Sequence, residues 1–292
     1  MMLSFLPSRG RAKLYLEFVK FEHTLFALPF AYGGMLLAER RFPGLGTFLL
    51  ISLAMVSART ASMALNRVID AQLDALNPRT RDRAIPQKQL RVRDGLWLAL
   101  GSIALFALAA WALNPLTLAL LPVALFFLTL YPYTKRFTWA CHYWLGLTIG
   151  AAAAAGWIAV TGAFAPAALA LWAGVGLWIA GFDILYGVMD YAFDLEHHVH
   201  SVPVRFGIAT ALELSALTHL LAWGFLALAV PLSRSGWPFA LGLVVMAGIL
   251  YYQHRLVAKR GVAQVLRSFN ANLYVGVTML LAIVLDIVLH TS

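Results

Sequence analysis

Charge is what this sequence has least of. Charged residues fill 12% of its 292 positions, against about 25% in an ordinary soluble domain, and 61% of the chain is apolar. A soluble core of this size does not need repeated uninterrupted apolar runs of about 20 residues, the length that crosses a hydrocarbon layer as a helix. A conventional soluble enzyme is therefore excluded. Cysteine is nearly absent as well: Cys141 stands alone, so no disulfide can form within the chain and no spaced thiolate pair can join His197, His198 and His200 in a zinc site. The stretch from Met1 to Lys20 lacks the apolar core and small-residue cleavage site of a signal peptide, so the first membrane helix is expected to serve as the insertion signal.

What is there is a polytopic membrane pattern. Hydropathy predicts an all-α integral membrane protein with about nine transmembrane helices around a central cavity, in one domain over 1–292. The expected spans lie near 17–38, 47–67, 93–113, 115–133, 138–161, 167–189, 207–230, 237–256 and 270–289. With that segmentation, 18 of the 22 Lys and Arg residues fall on the N-terminal side of the membrane, three (Arg40, Arg41, Arg234) fall on the other, and Arg59 lies inside a span. The asymmetry predicts a cytoplasmic N-terminus and an outer C-terminus, in a bacterial plasma or inner membrane. The net charge of +9 is thus a topology signal, and it gives no reason to expect nucleic acid.

The few acidic residues are not scattered. Eight of thirteen (Asp70, Asp74, Asp82, Asp94, Asp183, Asp190, Asp194 and Glu196) gather at the cytoplasmic ends of spans or in cytoplasmic connections. Acidic residues gathered at one membrane depth mark a site. By contrast, Gly146, Gly150 and the alanine run to Gly156 give one helix a small-residue face, which predicts close helix packing.

Two stripes carry the chemistry. In Asn66-x-x-x-Asp70-x-x-x-Asp74, each four-residue step advances a helix by about 400°, so the three side chains share one face with about 40° drift per step. The second stripe, about 120 residues later, runs Asp183, Tyr186, Asp190, Asp194, and each stripe is followed by a basic loop with a proline, Pro86 or Pro203. Like charges four apart repel. A chain that repeats this arrangement at one depth neutralises it with cations, and carboxylates with an amide oxygen suit Mg²⁺ completed by substrate phosphates. Arg83, Lys135 and Arg136 lie nearest the stripes and are the expected diphosphate contacts. Tyr131, Tyr133, Tyr186 and Tyr191 could face a carbocation, although Tyr131 and Tyr133 fit the interfacial aromatic belt better. A secondary transporter would hold its carboxylates mid-span rather than at one end.

These stripes, the loop Asn77-Pro78-Arg79-Thr80 to Arg83, and Tyr131-Pro-Tyr-Thr-Lys135-Arg136 resemble the UbiA superfamily of intramembrane prenyltransferases over nearly the whole chain. The resemblance implies two Mg²⁺ ions held by Asp70, Asp74, Asp190 and Asp194. Asn66, Arg83, Lys135 and Arg136 would contact the diphosphate of a polyprenyl donor. Asp183 and Arg136 are the implied catalytic groups, with Asp183 placed for proton removal or orientation. No obligate protein partner is implied. The segments from Phe21 to Phe30 and from His200 to Gly207 are similar to the 4-hydroxybenzoate polyprenyltransferase group, which includes relatives acting on a dihydroxynaphthoate. Where hydroxybenzoate enzymes carry Arg-Pro, this chain has Lys20 and then Glu22-His23. Lys20 and His23 are the expected acceptor contacts, and the departure points to a naphthoate-type acid. Haem, chlorophyll and lipid prenylation are the other acceptors known in the superfamily.

Overall fold

The computed structural model describes residues 10–20 and 24–290, side chains excepted at 24–27 and 290. Among them there are helices and turns and no strand. The helices are α1 (Arg11–Phe18), α2 (Thr24–Glu39), α3 (Leu45–Ile69), α4 (Ala71–Leu76), α5 (Val92–Leu113), α6 (Pro115–Thr134) and α7 (Cys141–Thr161). They continue as α8 (Pro166–Gly187), α9 (Tyr191–Glu196), α10 (Val202–Leu232), α11 (Trp237–Arg260), α12 (Val265–Asn270) and α13 (Asn272–His290). Eight stretches among the described residues are long and apolar enough to cross a membrane. The ninth, α2, has 16 residues, about 24 Å at 1.5 Å per residue. The molecule is an integral membrane protein.

Most expected spans agree with the helices to within a few residues. The first does not. The chain leaves the helix after Phe18, and Lys20 adopts a left-handed φ of 49° that no helix can continue. The membrane helix begins at Thr24, so the expected span 17–38 is a short amphiphilic helix followed by a shorter membrane helix. At 207 the expected boundary meets a real break: Gly207 sits at φ 81°, splitting a five-residue N-terminal piece of α10 from its long membrane segment. Ser201 and Pro203 start that piece, the serine side chain accepting the Val204 amide.

Consecutive membrane helices pack side by side, α3 on α5, then α6, α7, α8, α10, α11 and α13, and α13 returns to α2, which meets α3 and closes the ring. Water cannot drive this association within lipid, so close approach must. Gly34, Gly146, Gly150 and Gly156 supply it. A Cβ on Gly156 would overlap the Ala31 carbonyl of α2, and one on Gly146 would overlap the Gly176 carbonyl of α8. Aromatic stacking of Phe30 on Trp178 at 4.8 Å and of Trp178 on Phe182 at 5.1 Å fills the centre. At the end opposite the stripes, fully buried Asp286 binds Arg40 at 3.0 Å and the Gly236 amide at 2.7 Å, tying α13, α2 and the α10–α11 turn together.

The packing predicts a contrast between two glycines. Gly156→Ala should lower the unfolding midpoint of the detergent-solubilised protein by several degrees, for a loss of about 1–3 kcal/mol. Gly101→Ala on α5, where an added Cβ meets nothing within 4 Å, should leave it unchanged or slightly raised.

Candidate active site

Both acidic stripes are built the same way. α3 stops at Ile69, Asp70 takes φ −93° and ψ 4°, and six-residue α4 follows. α8 stops at Gly187, one 3-10 turn spans Val188–Asp190, Asp190 takes φ −97° and ψ 2°, and six-residue α9 follows. These backbone angles belong to the sparsely allowed bridge region between helix and strand. Hydrogen bonds from Asp70 N to Asn66 O (2.9 Å) and from Asp74 N to Asp70 O (2.8 Å) keep the four-residue register through the first joint. The stripes therefore stay on one face although the helices carrying them are interrupted. The likeness of the two joints strengthens the internal echo seen in the sequence.

Basic side chains close on the carboxylates. Lys135 Nζ donates to Asp70 Oδ2 at 2.6 Å, and Arg136 donates to Asp70 Oδ1 at 3.1 Å and to the Ile69 and Pro132 carbonyls. Arg83 grips both oxygens of Asp74, at 2.6 and 2.7 Å. The loop after α4 crosses to the other stripe: Asn77 Nδ2 donates to Asp190 at 3.0 Å, and Arg79 binds both oxygens of Asp190, with Nε at 2.8 Å, and the Tyr186 hydroxyl at 2.9 Å. Burial opposes the charge on Arg79, but its bonds to Asp190 and the nearby Tyr186 and Asp74 outweigh this and hold its pKa above the usual guanidinium value. Asp194, 9% exposed, is the one stripe carboxylate of the four with no ion pair among the described residues.

A cavity of about 940 Å³ opens between the stripes. Asn66, Asp70, Asp74, Asp190 and Asp194 line one end, and its walls include Leu145, Ile149, Trp178 and Phe182. Lys20, Arg83, Lys135 and Asp183 also line it, so the structure gathers every described candidate except Arg136, which reaches the site through Asp70. His23 lies outside the described residues. Asn66 turns an amide with no side-chain partner among the described residues toward the cavity. The aromatic-belt reading of Tyr131 is corrected: it is buried in the cavity wall and bonded to Ser62 at 3.2 Å, whereas Tyr133 is exposed under the Arg136 guanidinium. Four lining groups escaped sequence reasoning. Arg79 hid within a basic loop, and Arg67 looked like a topology determinant. Arg59 was visible as a charge within a span, a signal that could have been used. His142, bonded to Asp183, carried no signal because its partner lies 41 residues away.

The sequence matches the model of the UbiA prenyltransferase family over residues 27–281. The chain belongs to the UbiA prenyltransferase family. It is therefore a prenyltransferase, and its UbiA fold extends to solved structures. It resembles the apo UbiA homolog from Aeropyrum pernix K1 at 32% identity with a TM-score of 0.83, covering 91% of this chain and 98% of that one. A UbiA homolog from Archaeoglobus fulgidus bound to GPP and Mg²⁺ shares the fold at 19% identity and a TM-score of 0.73, over 93% and 99% of the two chains. Among curated proteins, the 4-hydroxybenzoate octaprenyltransferase of Aromatoleum aromaticum is 29% identical over 96% of each chain.

The donor set of this UbiA protein fits Mg²⁺. Among the described residues no three His, Cys, Asp or Glu side chains form a ready-made metal cluster. Carboxylate pairs completed by phosphate and water are, however, how Mg²⁺ is usually held. Asp194 is buried with a hydrogen bond to Ser201 and no ion pair among the described residues, and a cation would compensate its charge.

The Arg79 and Arg83 contacts predict an ordered loop. Arg79→Ala should make tryptic cleavage between residues 80 and 91 several-fold faster in detergent, read by mass spectrometry of the fragments. An unchanged rate would show that the Asp190 contact does not hold the loop.

Proposed function

We propose that this enzyme transfers a polyprenyl chain from its allylic diphosphate to a small aromatic acid, of the 4-hydroxybenzoate or dihydroxynaphthoate class, in quinone biosynthesis. The observation that carries the aromatic acid is Arg59. It projects from the middle of α3 into the cavity beside Tyr131 and has no hydrogen bond or ion pair among the described residues. A cation held inside a membrane bundle without a partner is costly, so it fits a site whose ligand brings an anion. Arg59 lies eleven residues before Asp70, about 16 Å along the helix axis, deeper than the carboxylate end. An acceptor carboxylate at Arg59 would leave its ring between that anchor and the diphosphate. Arg67, donating to the Phe18 carbonyl at 3.3 Å, is the neighbouring cation on this wall.

At the other end, Asp70 and Asp74 would hold one Mg²⁺, and Asp190 and Asp194 a second. Bound there, Mg²⁺ would neutralise charge on the diphosphate oxygens and favour departure of the leaving group. Lys135, Arg136, Arg83 and Arg79 would bind the phosphate oxygens, and Asn66 would add an amide donor. Tyr131 and Tyr186 line the cavity and would help stabilise a developing allylic cation, the Tyr186 ring lying under the Arg79 guanidinium. Asp183 would take the ring proton. Lys20, on the cavity rim, remains an acceptor or entrance contact. The relatives that act on 4-hydroxybenzoate and the fold neighbour that binds GPP and Mg²⁺ support this reading. The excess of Lys and Arg at the stripe end supports placing it in the cytoplasm.

The test is a prenyl-transfer assay on purified protein with Mg²⁺, geranyl diphosphate, and 4-hydroxybenzoate or 1,4-dihydroxy-6-naphthoate in parallel. Product from one acid, lost with EDTA and in Asp70→Ala and Asp190→Ala, is expected. Product from neither, with longer diphosphates also inert, would overturn the reading. In the active enzyme, Arg59→Ala should raise the KM for the acid by about 10–100-fold, the range for one charge-assisted hydrogen bond. The KM for the diphosphate should stay within about twofold, since one charge-assisted contact is being removed from a different ligand.

A further inference from the structure

His142 is the second residue of α7, and its Nδ1 lies 2.7 Å from Asp183 Oδ2 on α8. A carboxylate only accepts hydrogen bonds, so Nδ1 carries the proton and donates. The ring's other nitrogen, Nε2, is buried and has no hydrogen-bond partner. The ring is walled in. A Cβ on Gly187 would stand 2.9 Å from Cε1 and 3.5 Å from Nε2, with Pro203 Cγ at 3.8 Å. Gly187 is bare because the imidazole occupies that space. The confined ring, its side chain 5% exposed, makes its contact across to α8 with Asp183, and Cys141 lies beside it.

Asp183 is different. Its side chain is 26% exposed, it lines the cavity, and its Oδ1 has no partner among the described residues. Phe182 beside it meets Trp178 and Phe269, so this carboxylate stands on an aromatic wall rather than among the four stripe carboxylates.

We propose that His142 is a positioning residue for Asp183, holding Oδ2 through Nδ1–H so that Oδ1 receives the proton the aromatic ring sheds on prenylation. The inference rests on the prenyl-transfer reading. In the step, the allylic C–O bond breaks with its electron pair leaving on the diphosphate, and a carbon–carbon bond forms from the ring to the allylic carbon. The ring C–H bond then breaks, its electrons restore aromaticity, and its proton passes to Asp183 Oδ1. Asp183 returns that proton to water or to the departing diphosphate.

Other titratable groups surround the pair: Cys141 beside the ring, Asp194 on α9, Asp190 and Lys135 near Asp194, and His219 of α10 against Gly181. α2 and α12 meet this part of α8 with the rings of Phe30 and Phe269. All of these are common to wild type and His142 variants, so a difference between them reports the Asp183 contact.

The experiment compares wild type, His142→Leu and His142→Asn, whose amide nitrogen occupies the place of Nδ1. Kinetics are run across pH, with infrared titration of the Asp183 carboxyl band assigned by Asp183→Asn. His142→Leu should lower kcat about 10–100-fold with the diphosphate KM within about twofold, and move the acid limb of the profile and the infrared titration up by roughly one pH unit. His142→Asn should restore both in large part. Wild-type kcat and titration in His142→Leu would overturn the proposal, and so would a kcat equally low in both variants with the titration unmoved. A wild type inactive on every acceptor would instead defeat the prenyl-transfer reading. The infrared titration would still show whether His142 holds Asp183.

Discussion

Four carboxylates at one end of an apolar bundle must be compensated, and much of this architecture follows from that requirement. The chain meets it with its own cations: Lys135 and Arg136 on Asp70, Arg83 on Asp74, Arg79 on Asp190. The pairs on Asp70 and Asp190 join elements distant in sequence. Arg79 links the first stripe's loop to the second stripe, and Lys135 joins the end of α6 to the end of α3. Removing one partner of such a pair leaves a partly buried charge behind, which is why these contacts order the loops. On the proposed reading a diphosphate and divalent cations would offer the same pairing of opposite charges, the basic groups meeting phosphate and the acids metal.

Much of this was legible in the sequence, for identifiable reasons. The first stripe could be read because helical register survives its joint: the Asp70 and Asp74 amides still bond four residues back. The small-residue face at Gly146, Gly150 and Gly156 could be read because backbone contact between helices demands it. What stayed hidden depends on long-range neighbours. The Asn77 and Arg79 contacts with Asp190 and the His142–Asp183 bond join residues 41 to 113 positions apart, and no local pattern announces them. The first span was misjudged because hydropathy averages over Lys20, whose left-handed conformation ends α1. Tyr131 was misjudged because a tyrosine near a span end looks the same whether it faces lipid or the cavity.

On the proposed reading the cavity divides its tasks by depth: its carboxylate end would bind the allylic diphosphate, and its deeper wall, lined by Arg59, Tyr131, His142 and Asp183, would meet the prenyl acceptor. Acceptor choice can then change by substitution on the deep wall without disturbing the diphosphate end. Lys20 falls on the cavity lining.

The central claim is that the two stripes act together on one diphosphate. Its most direct test is anomalous diffraction from crystals grown with Mn²⁺ and an unreactive thiolo-diphosphate prenyl analogue. The account predicts two manganese peaks, one at Asp70 and Asp74 and one at Asp190 and Asp194, bridged by the analogue's phosphates, with Arg79, Arg83 and Lys135 moved from carboxylate to phosphate. Carboxylates still bound to their own cations, with the analogue seated elsewhere, would contradict it.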